Sequence, residues 1–207
     1  MSKPSHLSSV PGVLGKLPSQ ARGERRVAEL KAAAEQEFAA HGYDATTMTA
    51  IAKAAGAPIG SLYQFFPSKE ALALTLLNQY LEEAAGLIGA LREAPPTDAA
   101  TLAAELIGRS SSYLRAHPAW VVLSEAPALA ATKPDARREL ARTLEEILLA
   151  WAPRTAPAEA RQIATAAWQM VKAANAMGRL LPRAEGQKAA AELSLALQTY
   201  LHARLGL

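Results

Sequence analysis

The chain of 207 residues contains no cysteine, which excludes both a disulfide framework and a thiolate metal site. Aromatic residues are scarce at 5%, whereas half the chain is apolar and alanine and leucine dominate it. Such a composition is rich in strong helix formers, so an all-α protein is expected. Long apolar runs are missing too, since no segment reaches the roughly eighteen uninterrupted apolar residues of a membrane span. The opening stretch is broken by Pro4, Pro11 and Pro18 and lacks the continuous apolar core of a secretory signal. A cytoplasmic protein without a membrane segment is the expectation.

Enzymatic signatures are absent as well. Gly15 and Lys16 lack the upstream glycine of a phosphate-binding loop, because Val10 occupies that place, and neither GxGxxG nor GxSxG occurs. The four histidines, His6, His41, His117 and His202, are scattered. Glu37 and His41 share a helix face four residues apart and read as a surface contact rather than a metal site. No catalytic group, metal or cofactor is expected.

What is present is a densely punctuated stretch from Thr46 to Lys69, TTMTAIAKAAGAPIGSLYQFFPSK. Thr47 is placed to cap a short helix on which Ile51 and Ala55, four residues apart, form an apolar pair. Gly56 ends that helix. Pro58 starts a second one, because its fixed φ suits a first turn and its missing N–H costs nothing there. Ser68 caps a third. On the second helix Leu62 and Phe66 share the inward face, while Gly60 and Gln64 lie opposite with Ser61 and Tyr63 flanking them. A short helix docked by apolar residues and presenting small, hydrogen-bonding ones suits the major groove of DNA, where glutamine pairs with an adenine edge.

Thr46 and Thr47, Ile51 and Ala52, Ala55 and Gly56, Gly60 to Tyr63, Phe66, Ser68 and Lys69 together resemble the DNA-binding domain of TetR-family transcriptional regulators. The resemblance covers about Arg25–Leu77, with Phe38, Gly42 and Tyr43 closing the preceding helix in the same way. It implies that Thr47 meets a phosphate in addition to capping and that Tyr63 touches the backbone. Lys69 is a cation set unfavourably in a helix's first turn, a placement that a phosphate beside it would explain. Three positions depart from the family pattern: Pro58 replaces a common serine, Phe65 a histidine or tyrosine, and Ala50 a frequent charged residue. Base readout should then rest chiefly on Gln64 and Ser61, with Ile59 at the face boundary. The expected DNA contacts are Arg25, Arg26, Thr47, Thr49, Ile59, Gly60, Ser61, Tyr63, Gln64 and Lys69.

Charge is unevenly spread about a net +3. Residues 1–26 hold five cations (Lys3, Lys16, Arg22, Arg25, Arg26) against Glu24, a net +4, whereas residues 27–70 hold Lys31, Lys53 and Lys69 against five carboxylates, a net −2. Either the N-terminal arm supplies phosphate attraction through Arg22, Arg25 and Arg26, or it is a solvated tail. The expected organisation is a flexible basic arm over residues 1–22, a helix-turn-helix DNA-binding domain of three helices over 23–69, and a larger helical ligand-binding and dimerisation domain over 70–207.

In that larger part, Pro95 and Pro96 break the chain, and helices are expected over 97–116, 118–126, 134–151, 157–181 and 185–205. The last two carry Ile163, Ala167, Met170, Val171 and Met177, then Leu193, Leu197 and Leu201. The resemblance implies that this pair forms a four-helix homodimer interface, although the same stripes would serve a private core. Along the helix after Thr97 the inward line Leu102, Leu106, Ser110, Tyr113 and His117 turns from aliphatic to polar. With Trp120, Ser124, Trp151, Trp168, Gln169 and Asn175 it reads as a pocket for a small, mainly apolar effector, or as ordinary packing. The leading expectation is a ligand-responsive regulator, most often a repressor, binding a palindromic double-stranded operator as a dimer. The alternative is a helical small-molecule-binding or adaptor protein whose head docks a protein partner.

Overall fold

A computed structural model describes residues 21–94 and 96–206, with only the backbone of 132–137. Most of the basic arm therefore lies outside the described residues. Arg22 is described, in the first turn of a helix. The described residues are mostly helical and contain no strand, as the composition predicts. They divide into two compact units: the chain up to Asn78 together with Ala119–Ala131, and Gln79–Pro118 together with Thr132–Leu207.

In the first unit, α1 (Ala21–Ala45) buries Leu30, Ala34 and Phe38 along one stripe. Gly42 breaks its helical path at φ 80°, ψ 169°, a left-handed conformation that a side chain would resist. Thr46, itself buried, ties the break by donating its hydroxyl to the Gly42 carbonyl at 2.6 Å. The helix α2 (Met48–Ala54) starts where Thr47 Oγ1 accepts the Ala50 amide at 3.1 Å. It stops at Gly56, φ 58°, with Gly56 N–H donating to Lys53 O and Ala57 N–H to Ala52 O. Those two bonds are a Schellman closure, which satisfies carbonyls the helix end would orphan.

Pro58 then leads into α3 (Ile59–Phe65), and Ser68 Oγ accepts the Ala71 amide at 3.0 Å to start α4 (Lys69–Gly89). Ile51, Leu62, Phe66 and Leu72 are essentially inaccessible and form the core between these short helices. Burying a side chain of this size contributes about 1.5–3 kcal/mol. After α5 (Ala99–Ala116) comes α6 (Pro118–Glu125), whose Leu123 is fully buried, and a 3₁₀ segment (Pro127–Thr132) contributes Leu129 to the same unit. That segment has no counterpart in the sequence expectation.

In the second unit, α5 (Ala99–Ala116) is capped by Asp98, whose carboxylate accepts the Thr101 amide at 2.7 Å. That backbone bond is the main reason the Asp98 carboxyl is held below its usual range. Helices α7 (Lys133–Trp151), α8 (Pro157–Leu180) and α9 (Arg183–Leu205) complete the unit. Leu106, Leu144, Ile163, Ala167, Val171, Leu197 and Leu201 form its core, so much of the stripe expected to face a partner turns inward. α8 and α9 pack closely: a Cβ on Gly186 would lie 2.7 Å from the Met177 carbonyl oxygen and 3.1 Å from Gly178 Cα. Leu180 and Leu195 remain 72% and 56% exposed on this hairpin.

Candidate DNA-binding interface

The caps and the Schellman turn fix what α2 and α3 can present. With Met48, Ile51 and Ala52 buried, Thr47 and Thr49 stand exposed at the start of α2. On α3 the burial of Leu62 turns Ile59, Gly60, Tyr63 and Gln64 to solvent, with Ser61 partly exposed beside them. Ile59 is 40% and Tyr63 50% exposed, large values for residues of this size. The outer face of α3 is thus a patch without charge, carrying one amide, two hydroxyls and a glycine through which a duplex can come close. Pro58 offers α3 no side-chain cap, and Phe65 lies half-buried rather than on the outer face.

Around this patch the cations are unequal. Arg25 is exposed on α1, whereas Arg26 donates to Glu29 at 2.9 Å in an exposed pair one turn along. Lys69 is differently engaged. Its ammonium donates to the carbonyl oxygens of Tyr43 at 2.8 Å, Thr46 at 2.9 Å and Asp44 at 3.2 Å, and lies 4.5 Å from the centre of the Tyr43 ring. Tyr43 in turn stacks on Phe38, with ring centres 5.9 Å apart. Burial pushes the Tyr43 phenol above its usual pKa, with Glu70 and Asp44 adding to the rise.

The second unit holds a polar cluster of its own. Four expected ligand-binding residues meet there: Ser110, Tyr113, His117 and Asn175. The His117 ring lies 4.3 Å from Tyr113 and 5.3 Å from Tyr80 between ring centres. Tyr113 donates its hydroxyl to the Glu83 carboxylate at 2.5 Å, and Gln79 donates to the other carboxylate oxygen at 2.8 Å. Ser110 donates to the Leu106 carbonyl at 2.7 Å and accepts from the Asn175 amide at 2.8 Å. That leaves Asn175 Oδ1 buried with no hydrogen-bond partner, an arrangement that costs about 1–3 kcal/mol when nothing fills it.

Sequence reasoning missed Tyr80 and Glu83; their spacing of three on α4 was the available signal. The remaining expected residues lie elsewhere. Trp151 donates its indole N–H to the Pro96 carbonyl at 2.8 Å, Trp168 is buried, and Gln169 is exposed and accepts from Lys172. Trp120 and Ser124 sit on α6 in the first unit. Glu37 and His41 lie 3.8 Å apart, and among the described residues no group of three His, Asp or Glu could hold a metal. Nor is any described helix long and apolar enough to cross a membrane.

Residues 30–76 match the family described as bacterial regulatory proteins, tetR family. An uncharacterized HTH-type transcriptional regulator of Bacillus subtilis (strain 168), YuxN, is 46% identical over 46 residues. The match spans 22% of this chain and 16% of that relative. Solved structures resemble nearly the whole chain. A TetR-family transcriptional regulator from Streptomyces coelicolor aligns with TM-score 0.67 at 24% identity, covering 87% of this chain and 99% of its own. A SmeT–triclosan complex aligns with TM-score 0.69 at 18% identity, over 86% and 91% of the two chains. The TetR family repressor AlkX from Dietzia sp. strain DQ12-45-1b aligns with TM-score 0.57 at 21% identity, over 86% and 95%. A helix-turn-helix head that matches the tetR family of bacterial regulatory proteins over residues 30–76 is thus carried on a chain with the fold of solved TetR-family regulators.

Proposed function

We propose that the protein is a ligand-responsive repressor that binds a palindromic operator as a homodimer in the cytoplasm. The observation that carries the reading is the outer face of α3. Leu62 and Phe66 anchor the helix inward, so Gly60, Ser61, Tyr63 and Gln64 are held outward as a rigid set with no charge to repel a duplex. In the major groove Gln64 would pair with an adenine edge and Ile59 would meet a thymine methyl, while Thr47, Thr49, Tyr63, Arg25 and Arg26 would meet phosphates. Two such heads would enter successive major grooves about 34–36 Å apart.

Exposed Leu180 and Leu195 on the α8–α9 hairpin support this hairpin as the dimer contact. The effector reading rests on the cluster of the second unit. Its rings offer apolar faces, while its unpaired acceptor, Asn175 Oδ1, calls for a donor. The effector is accordingly a small, mainly apolar molecule carrying an N–H or O–H group; the presence of triclosan in the SmeT structure is in keeping with a small-molecule ligand. Selecting bound duplexes from a random pool tests the DNA reading. A palindrome with half-sites one helical turn apart supports it, and recovery of no sequence preference overturns it.

A further inference from the structure

We infer that Lys69 is a positioning residue of the DNA-binding head, a clasp that fixes the α1–α2 corner against the start of α4, and that it reaches no phosphate itself. The inference rests on the DNA-binding reading above for its consequence and on geometry for its substance. An ammonium has three N–H donors and no acceptor. All three are matched here by carbonyl oxygens, those of Tyr43, Asp44 and Thr46, at 2.8, 3.2 and 2.9 Å. The Tyr43 ring covers a further side of the charge at 4.5 Å. To reach a phosphate the ammonium would have to leave these partners.

The same contacts explain why a cation stands in the first turn of α4. The amide ends exposed there disfavour positive charge, but these carbonyls close the tail of α1, after its break at Gly42, and offset the penalty. The clasped segment ends next to Thr47, the cap of α2 and an expected phosphate contact. Lys69 would thereby set the direction in which Thr47 and Thr49 leave the protein surface. Thr46 works alongside it: its carbonyl accepts from Lys69 while its hydroxyl donates to Gly42 O.

Lysine is suited to this position and arginine is not. Three carbonyls converging on one point match a compact ammonium, whereas a planar guanidinium fork cannot aim at all of them. Binding a phosphate makes the opposite demand, because arginine holds phosphate at least as well as lysine does. Lys69→Met and Lys69→Arg therefore separate the two roles.

On a duplex selected by the wild-type protein, the clasp predicts that both variants bind about tenfold more weakly, the scale of one missing charge-assisted hydrogen bond. The slope of log affinity against log salt is expected to stay at the wild-type value for Lys69→Met. Full affinity in Lys69→Arg, or a slope shallower by about 0.9 per phosphate released in Lys69→Met, assigns the residue to phosphate and overturns the proposal. Amide exchange in the free protein tests the clasp without DNA. Lys69→Met should speed exchange at Ala50 and Ile51 severalfold while the amides of α8 stay at wild-type rates, and unchanged exchange at α2 overturns the clasp. If the wild-type protein selects no duplex, the DNA-binding reading fails by itself and the exchange measurement still decides the clasp.

Discussion

The head and the body of this chain are both helical, yet they are specified in different ways. The head's α2 and α3 are helices of seven residues, too short to persist alone, and each boundary is set by one residue acting locally, since Thr47 caps, Gly56 closes and Ser68 caps again. The body is built from helices of 18 to 24 residues rich in alanine and leucine, which fold from propensity and from broad apolar stripes. Punctuation leaves little freedom in what the head exposes. Propensity fixes that a body helix exists without fixing which of its faces is inward.

The sharpest way to break this comparison is to remove one core side chain from the head. Leu62→Ala deletes a fully buried residue beneath the outer face of α3 and should cost about 2–5 kcal/mol. Amide exchange would report loss of protection in α2 and α3 with α8 retained; loss in both would mean that the head does not unfold separately. The counterpart in the body is Gly186→Ala. Its new Cβ meets the Met177 carbonyl oxygen, and forcing α8 and α9 apart is expected to cost about 1–3 kcal/mol, read from the denaturant midpoint. If the protein also becomes monomeric by sedimentation, the hairpin's role in assembly gains support.

Gln64→Ala should leave the fold intact, cost about 1–3 kcal/mol on the best duplex and flatten preference at one position of each half-site. Undiminished preference in a repeated selection would remove Gln64 from the readout. In the body, Asn175→Leu removes the buried oxygen that has no partner. It should stabilise the protein or leave it unchanged, within about 1 kcal/mol, while abolishing effector binding measured by calorimetry. A variant that still binds the same compound places the effector elsewhere. Smallest is Thr47→Ala, which removes the α2 cap at about 1 kcal/mol of head stability; its loss of affinity should exceed that if the hydroxyl also meets a phosphate.

These differences also explain what could be read from the chain alone. The starts of α2, α3 and α4 were legible because a cap, a proline or a left-handed glycine acts within a few residues of itself. The expectation that Leu62 and Phe66 turn inward and Gln64 outward agrees with their burial for the same reason. The engagement of Lys69 was not legible, since its three acceptors lie more than twenty residues upstream. Its charge in a helix's first turn was a visible anomaly with two resolutions, and only the folded chain brings the carbonyls to it. Tyr80 and Glu83 were hidden similarly, as members of a long apolar helix whose polar partners arrive from α5. Trp151 was expected in the effector pocket, but its indole N–H donates to the Pro96 carbonyl.

The placement of the tryptophans has a practical outcome. Trp120 belongs to the unit that contains the head, whereas Trp151 and Trp168 belong to the other. The indole of Trp151 is hydrogen-bonded and that of Trp168 is shielded, so their emission should differ in wavelength and in access to quenchers. Phenylalanine replacements leaving a single tryptophan would give each unit its own optical reporter, and a titration with duplex or effector could then be followed in one unit at a time.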